Sequence, residues 1–417
     1  MSKREIKENL KQFQKIAEEN EGELKVLDIL NQTLPSQNSL NKSQEYIQKN
    51  VNLYTKEKVF SFNLENGPYK GTYTQNGSHF MVYNKTGSIS SFSTQSFNLS
   101  FESNVEDTIH DARFLHNEQY MAVAQKDCVF VYDNTGKELH AVRDLKNTKM
   151  LEFLPYHFLL VGATDAGFMN YFDTSTGEIA SNIFIKDKNP TILKSNPANA
   201  IIHLGSNRGQ VSLWAPSQKS YLMKVNCHKS AVSTIEIDRS GQKMVTTGLD
   251  NKLKVFDIRN TYSPLKTVQT KTNIHFTSLS QRGLLALAYS NKLIVLKNFE
   301  QIYLKHNAPD TISSLEFCNH EDILSIGHAK GICSIVVPGS GDPVYDSKDI
   351  NPYMTKNERQ NLEVSRLLNK IPADLISLKP ILGELAATTQ VANESHRRRY
   401  FEDEEPQRNA LSRFYGR

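Results

Sequence analysis

Hydrophobic and polar positions alternate in short runs through most of this chain, and the stretch Ala231–Arg259 shows the unit most plainly. Val232, Thr234, Ile235 and Ile237 open it as a strand, and Arg239-Ser240-Gly241 turns the chain back. Met244–Thr247 is a second strand, Leu249-Asp250-Asn251 a tight turn, and Leu253, Val255 and Phe256 a third strand closed by Asp257. Alternation with period two, bounded by turn residues, predicts an antiparallel meander rather than a helix. One such meander cannot bury both faces, so it needs neighbours of its own kind.

The neighbours follow at a fixed period. The apolar residues that end successive third strands are Phe92, Tyr132, Phe172, Trp214, Phe256, Leu296 and Val336, in steps of 40, 40, 42, 42, 40 and 40 residues. The turn before each marker also recurs, as Lys85-Thr86-Gly87, Asp165-Ala166-Gly167, Asn207-Arg208-Gly209, Asp250-Asn251 and Ala329-Lys330-Gly331. Gly, Asn and Asp suit turns that need positive φ or a side chain bonded to its own backbone. A period of about 40 residues is that of a four-stranded propeller blade. The predicted fold is all-β, a seven-bladed WD40-type β-propeller over 59–342. Helical extensions flank it at 1–58 and 343–386, and a basic and acidic tail, 387–417, is expected to be disordered when free.

The ends of the ring carry their own prediction. Val336-Val337 runs into Pro338-Gly339-Ser340-Gly341, which cannot continue a ladder strand. The alternating run Val59–Leu64 precedes the first full meander. We therefore expect 59–64 to supply the seventh blade's outer strand and remove its open edge.

Outside the ring the period changes. Ile6, Leu10, Phe13 and Ala17 share one helical face, and Leu24, Leu27 and Leu30 continue an apolar stripe. That helix either packs on the domain's own surface or serves as a docking arm. A second, polar helix is expected near Ser43–Asn50. After the ring, Thr355-Lys356-Asn357-Glu358 reads as a capping box. Leu362, Val364, Leu367, Leu368 and Ile371 follow as an apolar stripe, which Pro372 ends or restarts. Such a helix is expected to cover the propeller's side or a partner.

Composition adds limits. The chain has 417 residues, 38% hydrophobic and 23% charged, with a net charge of +4. Whole-chain charge does not mark a nucleic-acid binder, so any such contact must be local. Cys128, Cys227, Cys318 and Cys333 form no C-x-x-C pair and read as reduced thiols. No apolar run approaches a membrane span, and the first residues lack the apolar core of a secretion signal.

Candidate chemistry is sparse. No phosphate-binding, dinucleotide-binding, nucleophile-elbow or zinc-protease motif occurs. His228 is expected to bond Asp250 and a strand hydroxyl such as Thr247, which is a structural role. Trp214 sits at a repeat marker and is assigned to the core. His110, His116, His140, His157, His203, His320 and His328 show no metal-ligand spacing. Gly339-Ser340-Gly341 reads as a loop rather than a phosphate cradle. In the tail, His396-Arg397-Arg398-Arg399-Tyr400-Phe401 combines Arg with aromatics, as RNA contacts do. Lys3, Arg4, Arg397, Arg398 and Arg399 are the candidate RNA-contact residues. No catalytic, cofactor or metal residue is assigned.

From Leu315 onward the sequence resembles a known family. Leu315-Glu316-Phe317-Cys318, Gly327-His328, Val336 to Gly341, Asn351-Pro352-Tyr353, Arg359-Gln360 and Ile371 to Ile376 are similar to a BING-four-type C-terminal domain. With Leu151 to Leu160 and Ser280 to Leu285, they resemble WD40 proteins of the U3 small nucleolar ribonucleoprotein, or small-subunit processome. The resemblance implies a non-enzymatic scaffold in the nucleolus of the nucleus. It implies association with other processome proteins, U3 snoRNA and pre-rRNA, and a role in 18S rRNA maturation. It implies no cofactor, no small-molecule substrate and no membrane. The alternatives are a WD40 adaptor of another class, such as a ubiquitin-ligase substrate receptor or peptide reader, and an enzyme with convergent acids or a metal at the ring axis. The sequence shows no such set of acids.

Overall fold

The computed structural model describes residues 43–187, 189–344 and 354–377. Its 28 strands, numbered in chain order, form seven four-stranded antiparallel sheets. Six blades are continuous in sequence, over residues 69–104, 111–142, 148–184, 190–226, 232–269 and 276–307. The seventh combines residues 312–336 with Ser61–Asn63. The first strand of each blade lies beside the first strand of the next, so the first strands line the centre.

The Ala231–Arg259 meander forms strands Val232–Ile237, Lys243–Gly248 and Lys252–Asp257. Six markers hold one column of the sheet register, as in Phe256 opposite Met244 and Trp214 opposite Ile202. The seventh does not. In blade 7, Leu324 pairs with Ile335, and Val336 pairs with Ile323. The equivalent of the six is therefore Ile335, one residue earlier than the spacing predicts. Both residues are buried, so hydrophobicity alone could not separate them.

Ring closure follows the expected route. Ser61, Phe62 and Asn63 pair antiparallel with Cys333, Ile332 and Gly331. Gly331 sits at φ 141°, and a Cβ there would stand 2.0 Å from the Phe62 carbonyl oxygen, so the residue must lack one. Phe60 is buried beside Phe62, Phe80, Phe92 and Phe97, which ties the closing strand to blade 1 as well as blade 7.

A short helix, α1 (Gln44–Asn50), begins at the Ser43 N-cap. The Gln44 side chain bonds Val336 in both directions: its Nε2 donates to the carbonyl at 3.2 Å, and its Oε1 accepts from the amide at 3.1 Å. Ile47 is buried in the core of blades 6 and 7. A single-turn helix, α2 (Leu53–Glu57), follows. The predicted stripes at 6–17 and 24–30 lie outside the described residues. None of the described helices is long and apolar enough to cross a membrane.

Candidate functional site

Each blade runs up, down, up, down. Turns from first to second strand and from third to fourth therefore share one face of the ring. Both described terminal segments dock on that face. Lys58 pairs with Glu321 in the first turn of blade 7. The C-terminal segment crosses blades 2, 3 and 4.

That crossing starts with helix α3 (Lys356–Leu368). Its capping box is complete: Thr355 Oγ1 accepts from the Glu358 amide, and Glu358 accepts from the Thr355 amide. The apolar stripe does not cover the propeller. None of the residues of α3 is buried, and Leu368 is 81% exposed. Charges hold the helix instead. Arg359 pairs with Glu118, and Glu363 meets His116 Nε2 at 3.1 Å. Beyond the helix, Lys370 pairs with Asp173 and donates to Ser175 Oγ at 2.7 Å. Burial works against the Asp173 carboxylate, but the bonds from Lys370 and Ser175 hold its pKa below the ordinary value.

The chain then behaves as an added edge. Ile371 donates its amide to the Tyr156 carbonyl at 3.2 Å, and its own carbonyl lies 3.0 Å from His157 Nδ1. Ser217 Oγ donates to the Ile376 carbonyl at 3.2 Å. After a 3-10 turn at Ala373–Leu375, Ile376 enters the core of blades 3 to 5 at 1% exposure. Ion pairs near the surface, like these half-buried ones, contribute about 1 kcal/mol or less each, whereas burying an Ile contributes about 1.5–3 kcal/mol. Ile376 is therefore the anchor, and the charges set the path. Burial pushes the His116 and His157 imidazoles down toward the neutral form, Glu363 opposing it at His116 and the Ile371 carbonyl at His157.

Beside this strap opens a cavity of about 520 Å³ at the ring's centre. Gln75, His157, Asn196, Arg239, Gln281 and Asn319 contribute to its wall. A charged layer circles the centre, from one register position on every first strand. It holds Thr72, Arg113, Glu152, Lys194, Glu236, Ser278 and Glu316. Arg113 reaches Glu152 at 3.3 Å across blades 2 and 3, and Lys194 reaches Glu236 at 3.3 Å across blades 4 and 5. Ser195 Oγ donates to Glu152 at 2.9 Å. Burial opposes the Arg113 charge, but Glu152, Asp111 and Glu316 more than offset it. Glu316 is less well matched: burial pushes its carboxyl up to about 7 despite Arg113 and Lys194.

Three acids thus do converge at the axis, which corrects the sequence expectation. The position repeats but the residue type does not, so a search for repeated residues passes over it. Two of the acids are engaged by cations on neighbouring blades. The layer works as an interblade clasp.

The remaining sequence candidates resolve simply. His228 bonds Asp250 at 3.0 Å through Nδ1, as expected. Its Nε2 lies 3.0 Å from Thr246 Oγ1, not Thr247. Thr247 faces the other side of the strand and bonds Thr234 at 2.7 Å. Trp214 is 4% exposed, and its Nε1 donates to Ser212 Oγ at 2.8 Å. The loop at Gly339-Ser340-Gly341 aims three amides at the Asp322 carboxylate, at 3.0, 2.9 and 2.8 Å. That anion-binding nest is filled from within the chain. All four cysteines are free thiols, and burial pushes Cys227 up to about 12. No metal-holding cluster occurs among the described residues. Lys3, Arg4, Arg397, Arg398 and Arg399 lie outside the described residues.

Comparison with known proteins gives this geometry a context. The BING4CT (NUC141) domain family matches residues 302–379, from the last strand of blade 6 through blade 7 and the strap. "WD repeat-containing protein 46" of Homo sapiens is 39% identical over 339 residues, covering 79% of this chain and 56% of that protein. Its Caenorhabditis elegans namesake is 40% identical over 343 residues, covering 81% and 59%. "U3 small nucleolar RNA-associated protein 7" of Saccharomyces cerevisiae is 37% identical over 377 residues, covering 83% and 67%. The chain thus spans little more than half the length of the human relative. Among solved structures, Chaetomium thermophilum Raptor superposes with a TM-score of 0.60 at 18% identity, over 66% of this chain and 28% of that one. That likeness concerns the propeller fold alone.

Proposed function

The chain belongs to the family of U3 small nucleolar RNA-associated protein 7 and WD repeat-containing protein 46, and from that premise we propose that it is a non-catalytic scaffold of the small-subunit processome, the 90S pre-ribosome. In this reading it supports U3 snoRNA-dependent pre-rRNA processing and 18S rRNA maturation. Its partners are other processome proteins, with U3 snoRNA and pre-rRNA contacted directly or through them. Its place is the nucleolus.

The observation that carries the proposal is the strap. The family-matched stretch 302–379 includes segment 354–377, which crosses three blades and leaves Val364, Leu367 and Leu368 exposed. A preformed ring presents rigid surfaces at little ordering cost. Terminal arms then reach further partners, and several modest contacts combine by linkage. Lys3, Arg4 and Arg397 to Arg399 are proposed as RNA contacts made by those arms.

The test is localisation with depletion. A tagged chain is expected in nucleoli, and its depletion is expected to lower 18S rRNA relative to the large-subunit rRNA. Diffuse distribution with normal 18S levels would refute the proposal.

A further inference from the structure

The face opposite the strap carries the turns from second to third strand and the connections between blades. Its charge is unevenly spread. Over blades 4 to 6 it presents Arg208, Lys229, Lys271, Lys292 and Lys305, all exposed, with Lys252 half-buried among them. They come from separate elements: Arg208 from a turn of blade 4, Lys229 from the connection to blade 5, and Lys252 from the start of a blade 5 strand. Lys271 lies in the connection to blade 6, and Lys292 and Lys305 on paired outer strands of that blade.

None of these six cations has an ion-pair partner among the described residues. The acids in the same arc are already engaged. Asp187 pairs with Lys224 at 2.6 Å and Asp310 with Lys330 at 3.4 Å, while Asp250 meets the His228 imidazole at 3.0 Å, a ring that burial holds toward the neutral form, so the six cations face one carboxylate without a cation of its own. The arc is therefore a concentration of uncompensated positive charge on a chain whose net charge is only +4. Elsewhere on this face, over blades 1 to 3, Lys85, Lys126, Arg143 and Lys146 are interspersed with Glu106, Asp107, Asp127 and Asp144, and Lys149 pairs with Asp165, so acids there offset the cations. Leu249 is the large exposed hydrophobic within the arc, and no exposed Phe, Tyr or Trp lies there among the described residues, His275 being the one exposed ring. Cations in excess of such platforms fit phosphates rather than bases or an apolar peptide.

We propose that the open face of blades 4 to 6 is an RNA-backbone binding surface, with Arg208, Lys229, Lys252, Lys271, Lys292 and Lys305 contacting phosphates independently of sequence. The choice of RNA over another polyanion rests on the processome reading above; the site itself rests on the charge distribution. The rigid ring fixes these side chains along one arc, so a strand laid across three blades meets them in succession. Strap and arc occupy opposite faces, so protein docking and RNA binding need not compete.

The test uses the purified full chain and a short poly(U) RNA, with binding measured across a salt series. Arg208→Glu, Lys229→Glu, Lys271→Glu and Lys292→Glu are combined in one variant. A control reverses four exposed cations of the strap face, Lys137, Lys219, Arg282 and Lys297, so the net charge changes equally. The arc variant is expected to lose at least about tenfold in affinity. Its plot of log K against log salt should flatten by roughly 0.7 for each phosphate that the variant no longer neutralises. The control should bind nearly as the parent does, and both variants should keep the parent's melting temperature. Photocrosslinks to poly(U) are expected at residues 207–210, 249–252 and 289–292.

Equal losses in both variants, crosslinks confined to the terminal arms, or displacement of the RNA by polyglutamate at equal charge concentration would each overturn the proposal. None of these outcomes bears on nucleolar localisation, so the scaffold reading stands or falls separately.

Discussion

Glu316 is the acid of the axial layer with no cation close enough for an ion pair among the described residues. Its carboxylate accepts from the Tyr73 amide and feels Arg113 from a distance, but burial dominates and holds it near 7. The sign of the consequence is fixed by linkage. An acid whose folded pKa exceeds the ordinary 4.5 binds a proton more tightly when folded. It favours the folded state below that ordinary value, and the contribution is lost as pH rises to about 7. Glu316→Gln keeps an acceptor for Tyr73 and cannot ionise. The variant should match the parent near pH 4.5 and be more stable at pH 8, by about 1–3 kcal/mol after screening through the partly open channel. Melting curves at the two pH values check this. An equal offset at both would mean that Glu316 does not titrate in this window.

At the scale of elements, the closing strand and the strap differ in what they hold. Phe60 locks the closing strand into an aromatic cluster, so Phe60→Ala should cost about 3–5 kcal/mol. That is on the order of 10 °C in melting temperature. Leu53→Ala, at a position 70% exposed, serves as the silent control. The strap lies on the ring's surface, and losing it need not open the ring. Ile376→Ala should therefore leave the main melting transition nearly unchanged, while amide exchange at Ile371 and Ile376 rises at least about tenfold. Unchanged exchange would show that the ion pairs, not Ile376, fix the strap.

The two elements were not equally legible. Marker residues repeat because each blade buries the same register position, so spacing alone revealed seven blades, while the alternation of Val59–Leu64 and the break at Pro338-Gly339 revealed the closing strand. Blade 7's marker slipped by one because Ile335 and Val336 are interchangeable in hydrophobicity. The strap's capping box was local and readable, but its docking was not. His116, His157 and Asp173 meet it across about 200 residues or more of chain, and nothing in a run of sequence marks such a pairing. Nor does an apolar stripe reveal that polar groups will hold the helix while the stripe stays exposed.

The molecule as a whole has two unlike faces on a closed, rigid ring. One carries both described terminal segments and the central cavity; the other carries the unpaired arc of cations. Under the scaffold proposal, such a body holds several parts of an assembly at fixed separation. The proposed contacts at Arg397, Arg398 and Arg399 lie outside the described residues. Replacing these three with Glu should weaken crosslinking of the tail to RNA without altering the ring's melting. An unaltered crosslink would rule those residues out as RNA contacts.

The scaffold assignment is tested most directly by purifying the tagged chain from its own cells under gentle salt and sequencing the RNA that comes with it. Strong enrichment of U3 snoRNA and of pre-rRNA containing the 18S region is predicted, relative to an unrelated tagged propeller. A profile without enrichment of either RNA would contradict the assignment.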